Sequence, residues 1–271
     1  MLGSRLGSSK VTGKMHNVNA HMNALTEQMK PIPVRISGGL LGRLHFAFRR
    51  TVDLQLQTIW QFLGPILPKL EGDVLDVGCG EMPFRFALPP QVKYTGIDVE
   101  AAVSFGMAGD GSIHIFDGRI IPFPDDRFDH ILCTEVLEHA EEPSVLMAEM
   151  HRVLKPGGSL ILTVPFSARV HHAPYDFHRF TAYGLAKMLA PFANYQIAER
   201  GNDVTAIANK LIVLCMGLLR PGLGLFWRAP LVLLCAPIAA LFLLAAHASI
   251  VLELGSKDDP LGYAVRAYKN G

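Results

Sequence analysis

Three groups of side chains in this chain are of types that bind or transform small molecules. The first is a pair of aspartates, each closing a short apolar run: Asp98 after Gly96-Ile97, and Asp117 after Ile115-Phe116. A carboxylate at a strand tip can accept two hydrogen bonds from a ribose diol, and another can accept from an exocyclic adenine amine. The second group is Glu135-Val136-Leu137-Glu138-His139. The third is His171-His172-Ala173-Pro174-Tyr175-Asp176-Phe177-His178-Arg179. Carboxylates and imidazoles gathered this way can work as general bases or hold a divalent cation.

Such groups need elements that bring them together. Val74-Leu75-Asp76-Val77-Gly78-Cys79-Gly80 reads as a buried strand running into a tight turn. Its two glycines permit backbone angles closed to other residues and keep side chains away from an approaching ligand. The first strand is predicted over Asp73–Val77 and further strands over Val92–Ile97, Ser112–Phe116, Phe128–Cys133, Ser159–Val164 and Tyr195–Glu199, with a last one over Leu261–Tyr268. Helices are predicted over Leu40–Leu70, Pro143–Leu154 and Thr181–Leu189. Pro65 and Pro68 close the first helical pattern, and Lys155-Pro156-Gly157-Gly158 reads as the turn after the second. The segments after the first two strands are short and rich in Gly and Pro, so their crossover helices should be stunted. The alternation predicts an α/β fold in which a mostly parallel sheet is covered on both faces. Open sheets of this kind bind ligands at the carboxyl ends of their strands.

The chain has 271 residues and a net charge of +1, without a dense basic block. That argues against nucleic acid as a partner. The four cysteines form no CxxC pair, so a reducing compartment suits them. Residues 1–35 read as a disordered polar tail without a signal peptide. The core is expected over 36–203, an apolar insert over 204–256, and the final strand of the core over 257–271.

Five ordered motifs carry a family resemblance: Asp76-Val77-Gly78-Cys79-Gly80, Gly96-Ile97-Asp98, Asp117 with Ile121-Pro122-Phe123-Pro124-Asp125-Asp126-Arg127-Phe128-Asp129, Glu135-Val136-Leu137-Glu138-His139, and Leu154-Lys155-Pro156-Gly157-Gly158. Over roughly Leu70–Arg200 the chain resembles class I S-adenosylmethionine-dependent methyltransferases of the type 11 group. The resemblance implies a Rossmann-like seven-stranded sheet whose last strand inserts antiparallel beside the sixth. It assigns the ribose to Asp98, the adenine amine to Asp117 and the methionine end to Asp76, Gly78 and Gly80, and counts Cys79 and Glu135 with that site. Cys79 reads as a small residue chosen for fit rather than as a reactive thiol. Glu81-Met82-Pro83-Phe84 replaces the further glycine often found after Gly80, so the contact of that loop with the cofactor should differ.

Methyl transfer needs alignment and, for a hydroxyl acceptor, a base. His171 is the first choice for that base and His139 the second. Asp176 and Arg179 read either as substrate-orienting groups or as an ion pair fixing the loop. Glu135, Glu138 and His139 also look like the Glu-x-x-Glu-His metal site of ubiquinone-pathway O-methyltransferases and small-RNA 3′-end methyltransferases. A divalent metal is not the favoured reading, and no metal ligands are assigned.

Ala229–Leu252 lacks Asp, Glu, Lys and Arg and is long enough to span a bilayer. A last strand that returns to the sheet excludes a single crossing. A hydrophobic helical hairpin before that strand is expected instead, dipping into one leaflet and hinged near Arg220–Arg228 or broken at Pro237. The functional expectation is methyl transfer, to oxygen in the first instance, on a small or lipid-linked acceptor. The place is the cytoplasmic face of a membrane, or the cytoplasm. The rivals are a non-catalytic membrane scaffold with a degenerate nucleoside pocket, and a metal-dependent O-methyltransferase using Glu135, Glu138 and His139. The oligomeric state is left open.

Overall fold

The computed structural model describes residues 29–34, 36, 39–106, 112–220 and 224–271. Most of the expected polar tail therefore lies outside the described residues. Within residues 29–34, the carbonyls of Ile32 and Pro33 accept hydrogen bonds from the Arg49 guanidinium.

In chain order the elements are α1 Leu40–Val52, α2 Leu54–Leu63, β1 Asp73–Val77, β2 Lys93–Val99, β3 His114–Phe116, β4 Phe128–Thr134, α3 Pro143–Val153, β5 Leu154–Pro165, α4 Ala182–Met188, β6 Asn194–Arg200, α5 Asp203–Leu218, α6 Leu225–Val251 and β7 Gly262–Tyr268. The seven strands form one sheet in the order β3-β2-β1-β4-β5-β7-β6. The β1–β2, β1–β4, β2–β3 and β4–β5 pairs are parallel, and β7 inserts antiparallel between β5 and β6. Among the described residues, the crossovers after β1 and β2 contain only the 3-10 turns Arg85–Ala87 and Glu100–Phe105, as the short Gly- and Pro-rich segments implied.

Alternate residues of the central strands feed two cores. Leu75, Val77, Leu160, Leu162 and Val164 point into one, with Leu146, Met150 and Leu185 of α3 and α4. Val74, Leu132 and Ile161 point into the other, with Leu56, Ile59 and Leu63 of α2. This period-2 division is what a sheet buried on both faces requires.

Two local expectations are corrected. The helix predicted over Leu40–Leu70 breaks at Asp53, whose side chain accepts from Leu56 N at 3.0 Å and caps a new helix. Asp53 is extended there, and the apolar stripe of the first half is not core: Leu44 and Phe48 are 56% and 67% exposed. Phe46 is buried instead, edge-on to Trp60. The Lys155–Gly158 segment is not a separate turn either. It lies within β5, and the β4–β5 register shifts between Phe128 and His130 to accommodate it.

The hairpin follows β6. Its tip lies between Leu218 and Leu225, as one of the expected hinges, and α6 passes Pro230 and Pro237 without interruption. Arg228 closes the tip by donating to the carbonyls of Gly217, Arg220 and Gly224, which satisfies helix-end acceptors that would otherwise face an apolar surface. Asn202 ties the base. It caps α5 through Thr205 N and donates to Leu254 O and Ser249 Oγ, so the chain leaves and re-enters the sheet at one place. Register puts that place at the carboxyl edge, because Gly262 pairs with both Arg200 of β6 and Pro165 of β5.

Candidate functional site

The turn after β1 is set by two left-handed glycines, Gly78 at φ 68° and Gly80 at φ 50°. Gly78 N and Cys79 N both donate to Ile97 O, at 2.8 and 3.1 Å, which pins the turn to β2. A Cβ on Gly78 would collide with the Val136 side chain, so this glycine is needed for packing on the segment after β4 as well as for its backbone angle. Cys79 is buried with its sulfur over Gly96, where any side chain would strike it.

Asp98 sits at the end of β2, 9% exposed. Its Oδ2 accepts from Gly80 N and its Oδ1 from Val99 N, both at 2.7 Å. Burial pushes its pKa up, against the pull of those two bonds. Each oxygen keeps one acceptor position. Asp117 follows β3, the strand beside β2, in a register that pairs Asp98 with Ile115. Its carboxylate accepts from Ile120 N and Arg119 N, which hold its pKa below the usual range, and it faces solvent.

Asp76 lies one strand in, 6% exposed, and accepts from the Tyr94 hydroxyl at 2.7 Å. Burial raises its pKa to about 7, partly opposed by that hydrogen bond and reinforced by Asp98. A carboxyl with a raised folded-state pKa binds its proton more tightly in the folded chain. The stability it contributes is therefore complete below about pH 4 and lost as pH climbs to about 7. For Asp76 the loss is worth up to about 4 kcal/mol. Urea denaturation at pH 5 and pH 8 should show the fold weaker at pH 8, and Asp76→Asn should flatten that difference. An unchanged difference in the variant would remove Asp76 from the account.

Beyond β4, Glu135 adopts φ 54° and its Oε1 accepts from Arg200 at 2.9 Å. Arg200 ends β6 and is 3% exposed; it also donates to Val164 O, Tyr263 O and Thr58 Oγ1. This carboxylate therefore serves first to hold the β4 and β6 ends together, a role sequence reading did not assign it.

Glu138 is fully buried, and neither carboxylate oxygen has a hydrogen-bond partner. Burial, with the nearby charge of Glu135, pushes its pKa well up. His139, His171 and His172 converge beside it, each offering a ring nitrogen within 4.8 Å of the others. Burial lowers the pKa of His139 and of His172 to about 4, helped by the neighbouring imidazoles. The loop after β5 is braced by Arg179, which grips Asp176 through two hydrogen bonds of 2.6 and 2.8 Å and also reaches Arg169 O. Burial alone would raise the Asp176 pKa, but the bonds from Arg179 and His171 outweigh it and hold it far below the usual range. Of the two readings of Asp176 and Arg179, the geometry is that of an internal brace. Phe177 N and His178 N both donate to Glu138 O, so the loop is laced to the segment after β4.

Residues 75–162 match the family described as a methyltransferase domain, type 11. That match runs from β1 to β5, the part of the sheet that carries the glycine bend, Asp98 and the segment after β4. The chain is 36% identical over 123 residues to a ubiquinone/menaquinone biosynthesis C-methyltransferase of Geobacter sulfurreducens, covering 40% of this chain and 48% of that protein. It is 32% identical over 112 residues to a tRNA U34 carboxymethyltransferase of Nautilia profundicola, covering 38% and 37%. A malonyl-[acyl-carrier protein] O-methyltransferase of Alcanivorax borkumensis is 29% identical over 213 residues, covering 66% and 72%. The match spans less than half the length of the first two relatives. Among solved structures, a SAM-dependent methyltransferase from Archaeoglobus fulgidus superposes with a TM-score of 0.49 at 15% identity, over 83% of this chain and 99% of that one.

The cofactor of such a methyltransferase domain is S-adenosylmethionine, and the residues present fit it. The fit rests on the remaining acceptor positions of the buried Asp98 carboxylate at the glycine bend. S-adenosylmethionine supplies a methyl group already activated on a sulfonium.

Sequence reading passed over two residues of this region. Tyr94 shares a strand face with Gly96 and Asp98, and the even spacing along β2 was the signal available. Arg200 lies just past a predicted strand, and its bonds join elements far apart in the chain.

Proposed function

We propose that this chain is an S-adenosylmethionine-dependent methyltransferase that acts at a membrane surface on an amphiphilic, lipid-linked acceptor, transferring the methyl group to oxygen. The observation that carries this reading is the origin of the apolar hairpin. It springs from the carboxyl edge of the sheet, the edge that bears Asp98, Glu138 and the histidine loop. A hairpin embedded in lipid would hold that edge against the bilayer.

The hairpin surface supports embedding. Phe226 and Trp227 are 76% and 79% exposed, and Leu233, Leu241 and Leu244 are 77%, 65% and 69% exposed. The inward stripe is small: Ala239, Ala246 and Ser249 are buried, and Ala246 clusters with Ala206 and Ala208 of α5. Helix α1 extends the same apolar surface, with Leu40, Leu41, Leu44 and Phe48 exposed and Thr51 O accepting from His247 of α6 at 2.8 Å. Helix α5, at 16 residues, is about 24 Å long and too short to cross a hydrocarbon core of about 30 Å. With both ends of the hairpin tied at Asn202, entry into one leaflet fits better than a crossing.

In this reading, Asp98 would orient the nucleoside of the cofactor, and the turn at Gly78 and Gly80 would leave room for its methionine end. The His171 ring would face the acceptor, with Asp176 fixing its orientation from 3.3 Å. The test is incubation of purified protein with methyl-labelled cofactor and a membrane lipid extract. Label in the organic phase is the expected outcome; label confined to water-soluble products would overturn the lipid-linked acceptor. Glutamate at Leu233, Leu241 and Leu244 together should move the protein from vesicle-bound to free in flotation. Burying one leucine is worth about 1.5–3 kcal/mol, so three charges there oppose insertion by several kcal/mol.

A further inference from the structure

We infer that His139, His171 and His172 form a binding site for one divalent first-row transition metal ion of the zinc type, beside the buried carboxyl group of Glu138. Three observations converge. The ring nitrogens of the three histidines lie within 4.8 Å of one another, close enough for a single ion to contact all three.

The tautomers suit ligation. His139 Nδ1 lies 2.8 Å from Tyr175 O, and His171 Nδ1 lies 3.1 Å from Arg169 O and 3.3 Å from Asp176 Oδ2. A ring nitrogen facing a carbonyl must carry the proton, which leaves Nε2 of both rings with its lone pair inward. Metal-binding imidazoles are commonly oriented by such a carbonyl or carboxylate on the far nitrogen.

Those lone pairs then face further acceptors. Glu138 Oε1 is 3.5 Å from His139 Nε2 and 3.9 Å from His171 Nε2, beyond hydrogen-bonding range. Both Glu138 oxygens and His172 Nδ1 are buried without a partner. Orphaned buried acceptors in a cluster are costly unless a cation or water lies among them. Imidazole-rich ligands with one carboxylate suit zinc-like ions better than magnesium. Glu135 is not part of this site, because its carboxylate is engaged by Arg200. The ligand set therefore differs from the Glu135, Glu138, His139 arrangement that the sequence spacing suggested.

The test uses the full chain, stripped with a chelator and titrated separately with zinc and cobalt(II). One equivalent should bind with saturation, and cobalt should give the visible absorption of a low-symmetry, nitrogen-ligated ion. His139→Asn and His172→Asn should each weaken binding by more than about a hundredfold, beyond the effect of removing an outer partner. Glu135→Gln should keep the equivalent. Circular dichroism on each variant separates lost binding from lost folding, and the wild-type titration stands independently of any variant. Absence of saturable binding to the wild-type chain, or equal affinity in the folded histidine variants, would overturn the site. Loss of the equivalent in a folded Glu135→Gln variant would overturn the assignment of ligands.

Discussion

Asp98→Asn should weaken S-adenosylmethionine binding by about ten- to a hundredfold while the chain stays folded. The carboxylate supplies two acceptor oxygens to backbone donors, Gly80 N and Val99 N, and in the bound state would supply two more positions to a ribose diol. Asparagine has one oxygen, and its amide nitrogen would confront an N–H on the other side. Hydrogen bonds to a charged group are worth about 1.5–3 kcal/mol, and about 1.4 kcal/mol is a factor of ten in affinity. Stability near neutral pH should change little, because the backbone donor that loses its acceptor offsets the relief of a buried charge. Burial already penalises the charged form, and a neutral amide escapes that penalty. Calorimetric titration measures the first effect and urea denaturation the second. Unchanged affinity in a folded variant would take the nucleoside away from Asp98, and with it the main support for the proposed activity.

The largest expected loss of stability is at Arg200. Its guanidinium is 1% exposed and ties the end of β6 to Glu135, Val164, Tyr263 and Thr58. Arg200→Met should cost about 3–5 kcal/mol, because it leaves Glu135 without its cation in a partly buried place. That is a large share of the roughly 5–15 kcal/mol that holds a typical domain together. The double variant Arg200→Met with Glu135→Gln should recover part of the loss, since the orphaned charge is gone. A denaturant double-mutant cycle reads the coupling directly. If the double variant is no more stable than Arg200→Met alone, the pair is not the source of the cost. The same cycle bears on the site, because Glu135 and Glu138 share the short segment after β4.

The strands were legible because their evidence is local. Asp73–Val77 was read with the same bounds as the structure has, and the other strands within two residues or so, except that β5 begins five residues early. Apolar runs bounded by glycine, proline and aspartate are decided by backbone sterics and burial, which a short window records. The broken first helix was not legible in the same way. Leu44, Phe48 and Val52 keep helical spacing with Leu56 and Leu63, and nothing in that spacing says that Asp53 will cap a new helix. The apolar face of α1 points outward as a result, and only its packing on Trp60 and Phe86 makes that visible.

Within the site, the division follows the same physics. Sequence alone established the sheet, the glycine bend, the acids at positions 98 and 117 near strand ends, and an apolar insert that must return before the last strand. These depend on residue type and on neighbours a few positions away. Tertiary structure decided that Arg200 would claim Glu135, that Glu138 would be sealed without a partner, and that His139 would meet His171 and His172. It also decided that the hairpin leaves from the edge carrying those groups. Each of these is a contact between segments tens of residues apart, set by strand order and packing, for which a one-dimensional pattern holds no distance.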